Sequence, residues 1–152
     1  MGCIDNMPAG VKFSILSRAF RYEIDGLIKD YGLTAAQSSV LRELSRFERE
    51  GLSEVIQKDL EERLHLGHPA VTEMIKKLEA GGFVVCRKCD TDKRAKLISR
   101  TEKARGLSEG IARIDTEVYK HLTEGIPAAD LERFDEVLGS ILENAFKCRE
   151  EV

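Results

Sequence analysis

Two short helical patterns separated by three residues constrain this chain more than any other feature. Gln57 to Leu64 place Leu60 and Leu64 on one face. A second pattern beginning at Pro69 places Val71, Ile75 and Leu78, with Met74, on an inner face. Between them Leu66-Gly67-His68 is a tight break. Proline suits a first helical position because its missing N–H would have no partner there. Gly67 or His68 then serves as the cap, and Gly81-Gly82 ends the second helix. A short helix, a three-residue break and a second helix form a compact pair, the outline of a helix-turn-helix.

The flanks are helical too. Phe13, Leu16, Phe20, Ile24, Leu27, Ile28 and Tyr31 make one stripe on a helix from about Gly10 to Tyr31, stopped by Gly32. Thr34-Ala35-Ala36-Gln37 reads as a capping box for a helix that buries Val40, Leu41, Leu44 and Phe47. Glu48 to Ser53 reads as a loop. After the central pair, Phe83-Val84-Val85-Cys86 and Ala95-Lys96-Leu97-Ile98-Ser99 are strand-like, and polar Arg87 to Arg94 between them gives a β-hairpin with a basic tip. Thr101 caps one long helix carrying Leu107, Ile111, Ile114, Val118, Leu122 and Ile126, broken at Pro127. The last helix shows Leu131, Phe134, Val137, Leu138, Ile141, Leu142 and Phe146. The last two helices carry more apolar surface than the edge of a small domain needs, and a symmetric dimer would bury it.

Composition narrows the class. At 152 residues and 42% hydrophobic the chain is one domain with room for an oligomerisation extension, and too apolar for disorder. No apolar run approaches the roughly 18–20 residues of a membrane span. No leader pattern precedes the four cysteines, so the expected compartment is the cytoplasm, with thiols reduced. The net charge is −3, yet Cys86 to Arg105 holds 8 of the 24 basic residues against 3 acidic ones. A basic finger on an acidic body fits directed contact with a polyanion. No phosphate-binding glycine loop and no HExxH or GxSxG motif is present, so an enzyme is not expected, and no cofactor is implied. Cys86-Arg87-Lys88-Cys89 is a single CxxC. A structural zinc site needs four ligands, and His65 and His68 lie on the helix-turn-helix, so no metal site is expected. The flanking Arg87 and Lys88 would lower a thiol pKa, which leaves redox sensing open.

In this order and spacing the elements resemble the MarR family of winged helix-turn-helix transcription regulators. Leu33-Thr34, Gln37 and Val40-Leu41 resemble the entry to that family's second helix. Gln57 to Leu64 resembles the first helix of its helix-turn-helix, and Pro69-Ala70-Val71-Thr72 with Leu78-Glu79 and Gly82-Phe83-Val84 resembles its recognition helix and following strand. Asp92-Lys93-Arg94-Ala95-Lys96 followed by Thr101-Glu102-Lys103 resembles its wing. Two positions depart. Glu73 stands where the family often has Arg, and Arg100 where it usually has leucine; Arg100 reads as a surface change or an added phosphate contact.

The expected fold is mainly α with a small β-hairpin: a winged helix-turn-helix lobe over 33–100, with long helical dimerisation regions over 10–32 and 101–150. The expected function is a homodimeric regulator of transcription, a ligand-responsive repressor on a pseudo-palindromic operator in double-stranded DNA. The start of a recognition helix faces base edges, which nominates His68, Ala70, Thr72 and Glu73, with Lys76 and Lys77 better placed for phosphates. Thr72 can touch a thymine methyl or donate a hydrogen bond, and Glu73 can accept from cytosine N4. Lys93 and Arg94 would meet the minor groove and phosphates, with Asp92 holding the wing through an ion pair. The resemblance implies those same roles for Asp92 and Arg94. It also implies a small-molecule effector between the dimer helices and the DNA-binding lobe. The alternative is a thiol- or metal-responsive sensor whose DNA lobe has degenerated and which acts through protein–protein contact.

Overall fold

The structure is a computed structural model describing the backbone of residues 2–89 and 95–150, with side chains over 4–89 and 95–147. The elements are α1 (Gly2–Asp5), α2 (Ala9–Ile28), a 3-10 turn (Lys29–Tyr31), α3 (Ala35–Arg49), β1 (Val55–Ile56), α4 (Gln57–Leu64), α5 (His68–Ala80), β2 (Val84–Lys88), β3 (Lys96–Arg100), α6 (Glu102–Gly106), α7 (Ser108–Leu122) and α8 (Ala128–Glu150). Residues 1–118 and 119–152 form two units. No helix among the described residues is long and apolar enough to cross a membrane.

Local chemistry sets the boundaries of the first unit. Gly32 takes φ 72° and ends the turn after α2, a conformation that costs a residue with a Cβ. The capping box of α3 forms as its sequence requires: Gln37 N donates to Thr34 Oγ1 at 3.2 Å, and Thr34 N donates to Gln37 Oε1 at 2.9 Å. Asp25 of α2 accepts a third amide of that helix start, Ala35 N, at 2.6 Å. The core of this unit takes Val40, Leu41, Leu44 and Phe47 from α3, Leu60 from α4, and Val71, Ile75 and Leu78 from α5. From α2 it takes only Ile24 and Ile28; Phe13, Leu16, Leu27 and Tyr31 of the same stripe stay exposed.

The sheet has three strands, in the order β1-β3-β2, where the sequence suggested two. β1 pairs antiparallel with β3, Val55 opposite Ile98 and Ile56 opposite Leu97. Two residues are too few to show alternation, so this strand is invisible in the sequence. The strand β2 runs to Lys88, so Arg87 and Lys88 belong to the hairpin stem and not its tip. The single helix expected from Thr101 is two helices. Leu107 N bonds back three residues to Ala104 O at 3.2 Å, closing α6 after Gly106 before α7 begins. Glycine is a poor helix former, and it supplies the weak point.

Arg100 is neither a surface change nor a phosphate contact. It lies on the inner face of β3 opposite Val84 and is 8% exposed. Its guanidinium pairs with Glu48 at the end of α3 and donates to Ser108 Oγ at 2.7 Å at the start of α7. Glu48 also accepts from Arg105 at 3.2 Å. Burial raises the Glu48 pKa, but the hydrogen bonds from Arg100 and Arg105 outweigh it and hold the carboxyl below its ordinary value.

Removing one partner of such a pair strands a buried charge, at a cost of roughly 3–5 kcal/mol. Glu48→Gln is therefore expected to lower unfolding stability by about that amount, while replacing Glu48 and Arg100 together by leucine recovers most of it. Because the folded-state pKa of Glu48 is depressed, its contribution is complete above about 4.5 and is lost as pH falls through the folded value. Urea melts across an acid pH series check both. A Glu48→Gln variant as stable as the parent, with the same acid limb, contradicts the pair's role.

Candidate nucleic-acid interface

The turn between α4 and α5 is built on the backbone. His65 closes α4 in the left-handed conformation, φ 51°, and Leu66 N bonds back to Glu61 O at 3.1 Å. Gly67 is the extended N-cap, and α5 begins at His68 with Pro69 in its first turn, one residue earlier than the sequence suggested. At the far end Gly82 takes φ 73°, and a Cβ on Gly81 would meet the Phe83 ring at 2.8 Å; both glycines are required by the turn into β2.

Burial of Val71, Ile75 and Leu78 turns the opposite face of α5 outward. His68, Ala70, Glu73, Lys76 and Lys77 are exposed, and Thr72 is half-buried. The structure therefore brings all six of the predicted α5 residues to one helix, with Thr72 at the margin of the core. Glu73 and Lys77 pair at 3.3 Å, one turn apart and equally exposed. Such a pair is worth only about 0–1 kcal/mol, so either partner can exchange it for a nucleic-acid group at little cost.

The start of α5 is tied to α4 by a polar cluster that sequence reasoning missed. Gln57 Nε2 stands 2.7 Å from Glu61 Oε1 and 2.7 Å from Thr72 Oγ1. His68 Nδ1 lies 2.7 Å from the same Glu61 oxygen. The signal was present in part: Gln57 and Glu61 are one turn apart on α4. Their contact with residues 11 and 15 positions onward from Gln57 depends on the turn geometry.

In the hairpin, half of the eight cations counted from Cys86 to Arg105 serve the protein itself. Arg87 reaches across Leu97 to Glu54, donating through Nε at 2.6 Å and Nη2 at 2.5 Å. Arg100 and Arg105 meet Glu48, and Lys103 donates to Gly81 O at 2.8 Å and lies 4.2 Å from the centroid of the Phe83 ring. Lys88 and Lys96, by contrast, are exposed register partners on adjacent strands. Like charges placed opposite one another are unfavourable until an anion joins them, and the sequence reading had not singled out this pair. Asp92, Lys93 and Arg94 lie outside the described residues.

Cys86 is a half-buried strand residue opposite Ile98. Burial pushes its thiol up to about 11, helped by the charge and hydrogen bond of Glu79 and opposed only by Lys96. This corrects the expectation that Arg87 and Lys88 would lower it. Arg87 projects from the other face of the strand and is committed to Glu54.

The MarR family model matches residues 31–95, from the last residue of the 3-10 turn after α2 to the residue before β3. Over those residues the chain is similar to the MarR family. A MarR transcriptional regulator from Methanosarcina mazei Go1 superposes with a TM-score of 0.82 at 24% identity, over 91% of this chain and 96% of that one. The S. aureus MepR–DNA complex gives 0.81 at 20% identity, over 91% and 99%. A mutant MarR from E. coli complexed with operator DNA gives 0.78 at 19% identity, over 91% and 96%. These likenesses establish the fold: a mainly α MarR-type winged helix with a small antiparallel sheet.

The chemistry of Cys86 yields a direct check. With a pKa of about 11, roughly one thiol in a thousand is thiolate at pH 8. Alkylation of Cys86, followed by peptide mass spectrometry over a pH series, is expected to be slow at pH 8 and to keep accelerating beyond pH 10. A rate that levels off below pH 9 contradicts this assignment.

Proposed function

We propose that this chain is a sequence-specific DNA-binding regulator of transcription, acting as a homodimer on a pseudo-palindromic operator. The observation that carries the reading is the exposed face of α5, which presents His68, Ala70, Thr72 and Glu73 ahead of Lys76 and Lys77 on a helix whose other face is locked in the core. In a helix-turn-helix the first four of these meet base edges and the lysines meet phosphates. Lys93 and Arg94 extend the contact to the minor groove, with Asp92 bracing the wing. Lys88 and Lys96 add phosphate contacts at the hairpin stem. Relatives of the same fold have been crystallised with DNA, one of them with operator DNA.

The dimer is supported by exposed apolar side chains. In α2 these include Phe13, Leu16 and Leu27; in α8 they include Phe134, Val137 and Ile141. A second copy covering them through the dimerisation regions 10–32 and 101–150 removes an otherwise costly surface from water. Effector response is supported by a cavity of about 560 Å³ where α2 meets the turn of the helix-turn-helix, lined by Phe20, Arg21, Arg63, Leu66, Ala70 and Met74. A small aromatic acid seated there touches the start of the recognition helix directly. Repression follows from occlusion, since a dimer spanning two successive major grooves blocks the DNA it covers. Such a regulator works in the cytoplasm. The competing thiol-sensor reading loses its main support with the raised pKa of Cys86.

Selection from random duplexes tests the reading. It is expected to recover an inverted repeat with half-sites about 10–10.5 base pairs apart, centre to centre. Recovery of no sequence preference, or of asymmetric single sites, contradicts it. On the selected duplex, Lys76→Ala and Arg94→Ala are each expected to flatten the dependence of log affinity on log salt by about 0.9 for every phosphate left without its cation.

A further inference from the structure

The polar cluster at the start of α5 restricts what Thr72 can offer a base. A threonine hydroxyl holds one proton and two lone pairs, and a carboxylate only accepts. Glu61 Oε1 is 2.7 Å from both Gln57 Nε2 and His68 Nδ1, so both nitrogens must face it as donors. That fixes the Gln57 amide with its NH2 group toward the cluster. It also makes the 3.0 Å approach of Gln57 Nε2 to His68 Nδ1 a contact between two donors, not a bond. The two amide protons of Gln57 are then assigned to the two nearest acceptors, Glu61 Oε1 and Thr72 Oγ1, each at 2.7 Å. Thr72 therefore accepts inside the protein. Its own proton has no acceptor among the described residues.

We infer that Gln57, oriented by Glu61, is a positioning residue that fixes Thr72 as an outward hydrogen-bond donor. Thr72 then selects base edges that present an acceptor: guanine N7 or O6, adenine N7, or thymine O4. It disfavours a cytosine, which presents only the N4 amino donor. This rests on the reading of α5 as the recognition helix and sharpens it, choosing donation over methyl contact as the discriminating mode of Thr72. It also assigns a role in specificity to Gln57, on the neighbouring helix.

The experiment is duplex selection with the full chain and with Thr72→Ser, Thr72→Val, Gln57→Met and the double variant Gln57→Glu with Glu61→Gln, each first confirmed folded by its circular dichroism melt. The parent and Thr72→Ser are expected to disfavour cytosine about tenfold at one position of each half-site. Thr72→Val keeps the shape but lacks the proton, and Gln57→Met frees the hydroxyl to rotate; both are expected to lose that discrimination at the same position. Gln57→Glu is made together with Glu61→Gln, because two carboxylates 2.7 Å apart would repel; the new carboxylate then accepts a hydrogen bond from the Thr72 hydroxyl, which leaves the hydroxyl's lone pairs outward. Preference there is expected to move toward cytosine or adenine, whose amino groups donate. This inversion is a readout that general loosening of the helix would not produce. If the parent selects an inverted repeat but Gln57→Met and the double variant keep its preferences at every position, the inference is overturned and the recognition helix stands. Should Thr72→Val also leave every position unchanged, Thr72 is no reader at all. If the parent selects no sequence, the DNA-binding reading itself falls, and this inference with it.

Discussion

Helical periodicity is the constraint on which the rest depends. Val71 and Leu78 are fully buried and Ile75 nearly so, on one face of α5, a helix that packs against α4. Burying side chains of this kind is worth roughly 1.5–3 kcal/mol each. With 3.6 residues per turn, that burial decides which side chains look outward. His68, Glu73 and Lys76 are exposed because their neighbours are not. Apolar packing is non-directional, however, and tolerates small rotations of the helix. The bonds from Gln57 to Glu61 and Thr72 supply the angular restraint that packing lacks.

A second restraint acts at the root of the hairpin. Arg100, Glu48, Ser108 and Arg105 join the end of β3 to α3 and to the start of α7. Thr101 Oγ1 donates to Gly82 O at 2.8 Å, so the two ends of the hairpin are clasped beside the last turn of α5. The hairpin stem and α5 are thereby held to one frame. The charge layout follows the same division. Arginines near the core are neutralised by carboxylates, while the lysines of α5 and of the hairpin stem remain exposed in a chain of net charge −3. Local positive potential on an acidic body directs a polyanion to one face.

The legible parts of the fold are those whose physics is local. The capping box of Thr34 and Gln37 is an i, i+3 contact, and the inner faces of α3 and α5 repeat every three or four residues. What escaped depends on partners far along the chain. Arg100 lies at a strand end where alternation gives no warning that α3 brings Glu48 to meet it, 52 residues away. The thiol of Cys86 answers to Glu79 on α5 and to burial, not to the adjacent Arg87, because successive strand residues face opposite ways. Gln57 looked like an ordinary polar helix start. It became part of the site only when the turn at His65 folded α5 back beside it.

The most direct test of the central claim is photocrosslinking to duplex DNA. One variant carries a photoreactive side chain at Lys76, on the outer face of α5. The control carries it at Tyr22 of α2, which is 79% exposed and far more open to solvent than most of the chain. If α5 lies in the major groove, the side chain at Lys76 crosslinks to the duplex in high yield and excess unlabelled operator abolishes the adduct, while the one at Tyr22 stays near background. Equal crosslinking from both positions, or a stronger adduct from Tyr22, would contradict the account.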